Sequence, residues 1–283
     1  MSPAPSGDEP GAPPSTGPSR RAFLAGGLAC AFCAAGGGAV GWDLARRNQT
    51  RNLGLVVPTK TLNQRRKAQP DALFSVQTRH PLVGLSFDDG PDPAYTPHVM
   101  RLLDQHHATA TFFTVGVNAQ AHPHMVTDQV KAGHTVGNHT FFHPYLEDLN
   151  GPSVREEIDL GEAAIVATGA PRPTLFRPPR GYTDEVIGVT ADKDRYKTVF
   201  WTQCVERYVL GHEVEDGVKK LLRDVRPGSI ILAHDGGHIL TPGYAPISRA
   251  QTMRALPLLF AGLEALGLRG VSVPELVLHA DRL

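Results

Sequence analysis

The chain predicts one α/β domain, a parallel sheet with covering helices, and three features lead there. From Pro81 onward short apolar runs alternate with longer amphipathic ones, as repeated βα units do. That stretch of about two hundred residues is long enough to bury one core and needs no second. No internal repeat or coiled-coil pattern competes with it. Periodicity alone leaves an open sheet and a closed barrel equally available.

The short apolar runs at Leu82 to Phe87, Thr109 to Val115, Thr135 to His139, Thr174 to Arg177, Thr198 to Trp201, Ser229 to His234 and Gly270 to Val273 read as strands. The amphipathic stretches Thr96 to His106, Pro123 to Ala132, Ser153 to Thr168, Thr183 to Ala191, Glu213 to Val225 and Arg249 to Leu266 read as the helices between them.

Ahead of this domain the first eighteen residues are rich in Pro, Gly and Ser, cannot bury a core, and are expected to be disordered. Ser19-Arg20-Arg21-Ala22-Phe23-Leu24 then opens an uncharged, Ala- and Gly-rich run to Trp42, which looks like a twin-arginine export signal over 1–42. The competing reading is a retained membrane anchor, since the run is nearly long enough to span a bilayer. Its many glycines make it only mildly apolar, which favours cleavage. Residues 43–80 form a basic linker, with Arg46, Arg47, Arg51, Lys60, Arg65, Arg66, Lys67 and Arg79. It is read as solvated chain, with a resting place on anionic lipid or wall polymer as the alternative. Cys30 and Cys33 fall in the signal, so the domain keeps one thiol, Cys204, and cysteine usage says nothing for or against export. The 28 basic and 28 acidic residues balance, and the domain has no concentrated basic face of the kind nucleic acid requires.

Two motifs carry chemistry. In Ser86-Phe87-Asp88-Asp89-Gly90-Pro91 an apolar run stops at a Gly-Pro turn, so two carboxylates project from a strand end, where α/β barrels build active sites. His139-Thr140-Phe141-Phe142-His143 supplies two imidazoles four residues apart, close enough across one helical turn to share an ion. Chance alone gives about 0.6 histidine pair at that spacing in a chain of this composition, and His234 with His238 matches it too, so spacing by itself proves little. One carboxylate and two imidazoles leave positions open for water and substrate, and leave the other aspartate as a base: a metal-dependent hydrolase. Cys204 beside His234 could suggest a thiol nucleophile, but no third orienting group accompanies them. His238, in a Gly-rich loop, reads as loop polarity. Ile239 to Ile247 reads as a rim insertion that shapes specificity.

The order FDDGP, HTFFH, Arg177-Pro178-Pro179-Arg180-Gly181 and Leu232-Ala233-His234, with ATFFTVG (110–116) and GHTVGNHTFFHP (133–144), resembles the polysaccharide deacetylases, the NodB-homology domain of carbohydrate esterase family 4. The resemblance runs from about Pro81 to Leu276 within a domain spanning 81–283. It implies a distorted (β/α)7 barrel of mostly parallel strands, a count that the seven apolar runs match. It further implies that Asp89, His139 and His143 bind a divalent metal, zinc first, with cobalt or nickel equally suited to such donors. Asp88 would be the base and Arg177 its orienting partner. The backbone around Pro179 to Gly181, carried here by Arg180, would face the oxyanion. His234 would protonate the departing amine, with Tyr208, Pro179 and Leu232 lining the substrate cleft.

One motif departs from the family. Its usual Asp-x-x-Asp-Trp aligns with Cys204-Val205-Glu206-Arg207-Tyr208, so an arginine replaces the acid that supports the catalytic histidine. Arg207 beside His234 would depress that histidine's pKa, unless Glu206 turns inward to replace the lost charge. The expected activity is removal of N-acetyl groups from peptidoglycan or a chitin-like glycan by an exported, monomeric, envelope or extracellular enzyme. The rivals are an O-acetyl esterase on xylan with the same metal centre, because an alkoxide leaves with a poorer acid, and a wall-glycan-binding relative without turnover.

Overall fold

The computed structural model describes residues 65, 67, 69–193, 196–241 and 243–281. The expected export signal and most of the linker lie outside the described residues. Among the described residues no helix is long and apolar enough to cross a membrane.

The element order is β1 (Leu82–Asp88), α1 (Thr96–Gln105), β2 (Thr111–Thr114), α2 (Gly116–Ala121), α3 (Pro123–Lys131), β3 (Thr135–Asn138), α4 (Gly151–Ala167), β4 (Leu175–Phe176), α5 (Glu185–Lys193), β5 (Lys197–Thr198), β6 (Gln203–Cys204), α6 (Val205–Val209), α7 (Val214–Asp224), β7 (Ile230–His234), α8 (Ala250–Ala265), β8 (Arg269–Val271) and α9 (Val273–Leu278). The strands run β5-β4-β3-β2-β1-β7-β6 across the sheet, and β8 pairs with the start of β1. Every ladder is parallel, as βα crossovers require.

Each of the seven expected runs contains strand residues, but the fifth, Thr198 to Trp201, overlaps β5 only at Thr198, and a further strand, β6, follows it. β5 pairs with β4 at one end of the sheet and β6 with β7 at the other, although only 199–202 lie between them. One bent strand therefore joins both ends. Leu73 bridges to Val199 and Ser75 to Ser229 across the same opening, so the sheet curls into a distorted barrel. Helices α2, α6 and α9 are absent from the sequence pattern, because five or six residues are too few to express a helical period.

Alternation along the strands sorts two cores. Val83, Leu85, Phe87, Ile231 and Ala233 face outward and pack with Val99 and Leu103 of α1, Leu221 of α7 and Leu259 of α8. Leu82, Phe113, Leu175, Val199, Ile230 and Leu232 fill the interior. All seven residues of β1 are buried because both of its faces are covered. The same alternation sends Ser86 and Asp88 inward above the apolar interior. Register places Asp88 opposite Phe113 on one side and His234 on the other, so two strand ends bring a carboxylate and an imidazole to one mouth.

Candidate active site

β1 ends on Asp88, and Asp89 then takes φ 74°, a left-handed conformation that aspartate tolerates better than most side chains. Strict alternation would turn Asp89 to the opposite face. The reversal instead holds both carboxylates over the same mouth, with Asp88 Oδ2 3.7 Å and Asp89 Oδ1 3.6 Å from His139 Nε2.

His139 to His143 follow β3 as a loop, not as the helical turn that their spacing suggested. Thr140 (φ 68°) and His143 (φ 56°) are left-handed, and a set of short bonds holds them there. Asn138 Oδ1 accepts from the Thr140 N–H at 2.9 Å, and Thr140 Oγ1 accepts from the His143 N–H at 3.1 Å. Glu157 Oε2, from α4, accepts from the Phe141 and Phe142 N–H groups at 3.1 and 2.9 Å. Burial pushes the Glu157 carboxyl up to about 7 despite those two bonds. The rings of His139 and His143 come to rest with centroids 5.0 Å apart.

The donors fit a metal. His139 Nδ1 lies 2.7 Å from the Arg177 carbonyl, which can only accept, so Nδ1 carries the proton and Nε2 presents a lone pair. That lone pair faces Asp89 Oδ1, which has no hydrogen-bond partner among the described residues and lies 3.2 Å from His143 Nε2. Asp89, His139 and His143 are all buried, with one donor atom from each lying within 4.8 Å of the others. Two imidazole nitrogens converging on one unpartnered carboxylate oxygen form a donor set that a cation would satisfy. Burial alone would raise the Asp89 carboxyl, but His143, His139, His234 and Arg249 together hold it well below the usual carboxylate range. Burial keeps His143 well below the ordinary histidine value, and therefore neutral and able to ligate.

Asp88 is held from behind. Arg177 Nη1 donates to its Oδ1 at 2.6 Å, while Nε and Nη2 donate to the carbonyls of Val199 and Phe200 at 3.0 Å each. The guanidinium is fully buried and lies 4.0 Å from the Phe113 ring centroid. One carboxylate oxygen is thus fixed and the other faces the mouth. Across from it, Glu206 of α6 turns inward. Its Oε2 lies 3.1 Å from His234 Nδ1, and its Oε1 accepts from the His234 N–H at 3.1 Å and the Thr252 hydroxyl at 2.9 Å. The Cys204 thiol also points at Glu206, at 3.3 Å, and burial raises its pKa well above the ordinary thiol value. Burial lowers the His234 pKa, but Glu206 outweighs it and the net direction is up. The expected depression by Arg207 does not arise, because Arg207 is exposed on α6. The cation that opposes His234 is Arg249.

Three expected cleft residues have other surroundings. Tyr208 packs against the helix-side core and donates to Asp224 Oδ2 at 2.7 Å; burial and that carboxylate push its hydroxyl up to about 12. It therefore stands away from the mouth. Leu232 belongs to the apolar interior beneath His234, and Pro179 is buried in a tight turn. In that turn Arg180 has φ 57°; its Nη1 donates to the carbonyls of His143 and Pro144 at 3.3 and 3.1 Å, and its guanidinium lies 3.6 Å from the Tyr145 ring centroid. His238 is exposed, its N–H donating to Asp92 Oδ2.

Two residues enter the site without a motif to announce them. Arg249, just before α8, donates to Asp89 Oδ2 at 2.7 Å. Tyr244, from the rim segment after β7, stands edge-on to His143 with ring centroids 6.0 Å apart. The rim segment is tied down by the Thr241 hydroxyl, which donates to the Phe142 carbonyl at 3.0 Å, and by Asn118 Oδ1, which accepts from the Leu240 N–H at 2.9 Å.

Comparison with known proteins agrees with this geometry. A family profile described as polysaccharide deacetylase matches residues 75–199. The chain is 35% identical over 205 residues to a peptidoglycan-N-acetylglucosamine deacetylase of Bacillus cereus, covering 72% of this chain and 92% of that one. It is 33% identical over 201 residues to a chitooligosaccharide deacetylase of Bradyrhizobium, covering 69% and 90%. Among solved structures, the Bc1960 peptidoglycan N-acetylglucosamine deacetylase superposes with a TM-score of 0.66 at 30% identity, covering 75% of this chain and 95% of that one.

Proposed function

The chain belongs to the polysaccharide deacetylase family of carbohydrate esterases, hydrolases of N-acetyl amide bonds, and from that premise we propose that it deacetylates an N-acetylated wall glycan or chitin-like polymer with a divalent metal, zinc first. The observation that carries this reading is the meeting of Asp88, Asp89, His139 and His143 at one mouth, with His234 facing them from the neighbouring strand. A cation held by Asp89, His139 and His143 would polarise the acetyl carbonyl and lower the pKa of the attacking water.

Each remaining group has a task set by its surroundings. Asp88 Oδ2 takes the proton of the attacking water, since Oδ1 is occupied by Arg177. The backbone N–H of Arg180 faces the developing oxyanion, and its side chain braces the loop that carries His143. His234 gives its proton from Nε2 to the departing amine, because Nδ1 is turned to Glu206. Tyr244, edge-on to His143, offers a face for a sugar ring at the mouth. The twin-arginine segment supports delivery to the envelope, where such a polymer lies.

The altered motif lent weight to an ester, and was the one feature that spoke for a silent binding domain. Glu206 against His234, with Arg207 exposed, supports the amide reading instead. The test is acetate release by the full chain from chitin oligosaccharides, peptidoglycan and acetylated xylan, each with added zinc, cobalt or nickel. Release from an N-acetylated glycan that Asp89→Ala abolishes is expected. Release from xylan alone, or equal behaviour of the two proteins, would overturn the assignment.

A further inference from the structure

Arg249 bridges two segments that the reaction needs in register. Its Nη2 donates to Asp89 Oδ2 at 2.7 Å and its Nε to the Gly236 carbonyl at 2.7 Å. Its own N–H donates to the Tyr95 hydroxyl at 3.3 Å, and its carbonyl accepts from Met253 in the first turn of α8. The side chain is 8% exposed, so the guanidinium has little freedom to leave. At Gly236 a side-chain carbon would collide with the Asp89 carbonyl, so this loop and the aspartate pack backbone to backbone. Three residues further along the same helical face, Thr252 donates to Glu206. One turn of α8 therefore touches both the carboxylate turned to the imidazoles and the carboxylate turned to His234.

We propose that Arg249 is a positioning residue that lets Asp89 present a single oxygen to the metal. A carboxylate can bind an ion through one oxygen or both. With Oδ2 engaged by a buried guanidinium, only Oδ1 is left to face His139 and His143, which keeps a coordination position for water or substrate. Without Arg249, Oδ2 is free to swing in and fill that position. This inference rests on the metal-dependent reading above, and deepens it.

The test uses the full chain loaded with cobalt(II), whose visible spectrum reports coordination number, for wild type, Arg249→Met and Arg249→Lys. Thermal unfolding establishes that each variant is folded; should the Met variant fail to fold, Arg249→Lys, which cannot span both acceptors, carries the comparison. The expected result is a variant spectrum changed from wild type, with kcat at saturating metal down about 10- to 100-fold and KM within about twofold. A variant spectrum that overlays wild type overturns the inference whatever happens to kcat, since it leaves Arg249 a structural role only. A changed spectrum with kcat unaltered overturns it equally. A wild type that binds no cobalt, or that binds it and releases no acetate, overturns the metal-dependent reading itself, which the wild-type arm reveals without the variants.

Discussion

The part of the barrel up to β5 and the part after it build one mouth by different means. Before residue 199, where the family profile also ends, Asp88, Asp89, His139 and His143 lie at strand ends or in the loops that follow them and are held mostly by local contacts: left-handed turns at 89, 140 and 143, the Asn138, Thr140 and Glu157 side chains on the histidine loop, and the Arg177 carbonyl on His139. After it, His234 depends on Glu206, Glu206 on Thr252, and Asp89 reaches across to Arg249, so side chains meet side chains over long sequence distances. A site held by local turns and short-range bonds demands fixed residue types at fixed spacing. A site held by tertiary contact lets the supporting carboxylate change place, provided that it still reaches the imidazole.

The sharpest way to break this contrast is at Asp88, the proposed base at the end of β1. Asp88→Asn should lower kcat by about 10²- to 10⁴-fold with the metal still bound; activity within a few-fold of wild type would remove the base from the first half. Glu206→Gln should cost less than the roughly hundredfold expected for losing an acid outright. Because Glu206 raises the His234 pKa against the effect of burial, its neutralisation lets that pKa fall. The basic limb of kcat/KM then moves to lower pH, and an unmoved limb would show that some other group supports the histidine.

Stability tests the same contrast. Glu157 anchors the His139–His143 loop through its N–H groups, and its carboxyl stands at about 7 against an ordinary 4.5. A carboxyl raised in the fold binds its proton more tightly there than in the unfolded chain. Its share of stability is thus complete below 4.5 and is lost as pH climbs through 7. In metal-free protein, Glu157→Gln should flatten that decline in urea unfolding across the window; an unchanged slope would place the titration elsewhere. Tyr208→Phe should do least, removing a hydrogen bond to Asp224 worth about 0.5–1.5 kcal/mol and leaving kcat alone. A large loss of activity there would return Tyr208 to the cleft.

How much was legible follows from the same physics. The seven strands were readable because parallel strands buried on both faces are apolar runs, and the helices between them were long enough to show a period. The break between β5 and β6, and the short helices α2, α6 and α9, left no such trace. Asp88, Asp89, His139, His143 and Arg177 could be named because they stand in contiguous motifs. The geometry of the histidine pair could not, since i, i+4 spacing suits a helix and the chain uses left-handed turns instead. Tyr208 was misplaced because an aromatic aligned by counting says nothing about which side of a five-residue helix it occupies. Glu206 was recognisable as a carboxylate near the right position, yet its direction depends on Thr252 in a later helix. Arg249 had no local signal at all: it is an ordinary residue before a helix until the fold carries it 160 positions back to Asp89.

Chelator-stripped full-length protein titrated with zinc, with acetate release from an N-acetylated glycan followed at each addition, joins the metal to the chemistry. Activity should climb linearly and break at about one equivalent for wild type, and stay at baseline for Asp89→Ala throughout. Release that is already full before zinc is added, or that rises alike in both proteins, would mean that Asp89, His139 and His143 hold no catalytic ion.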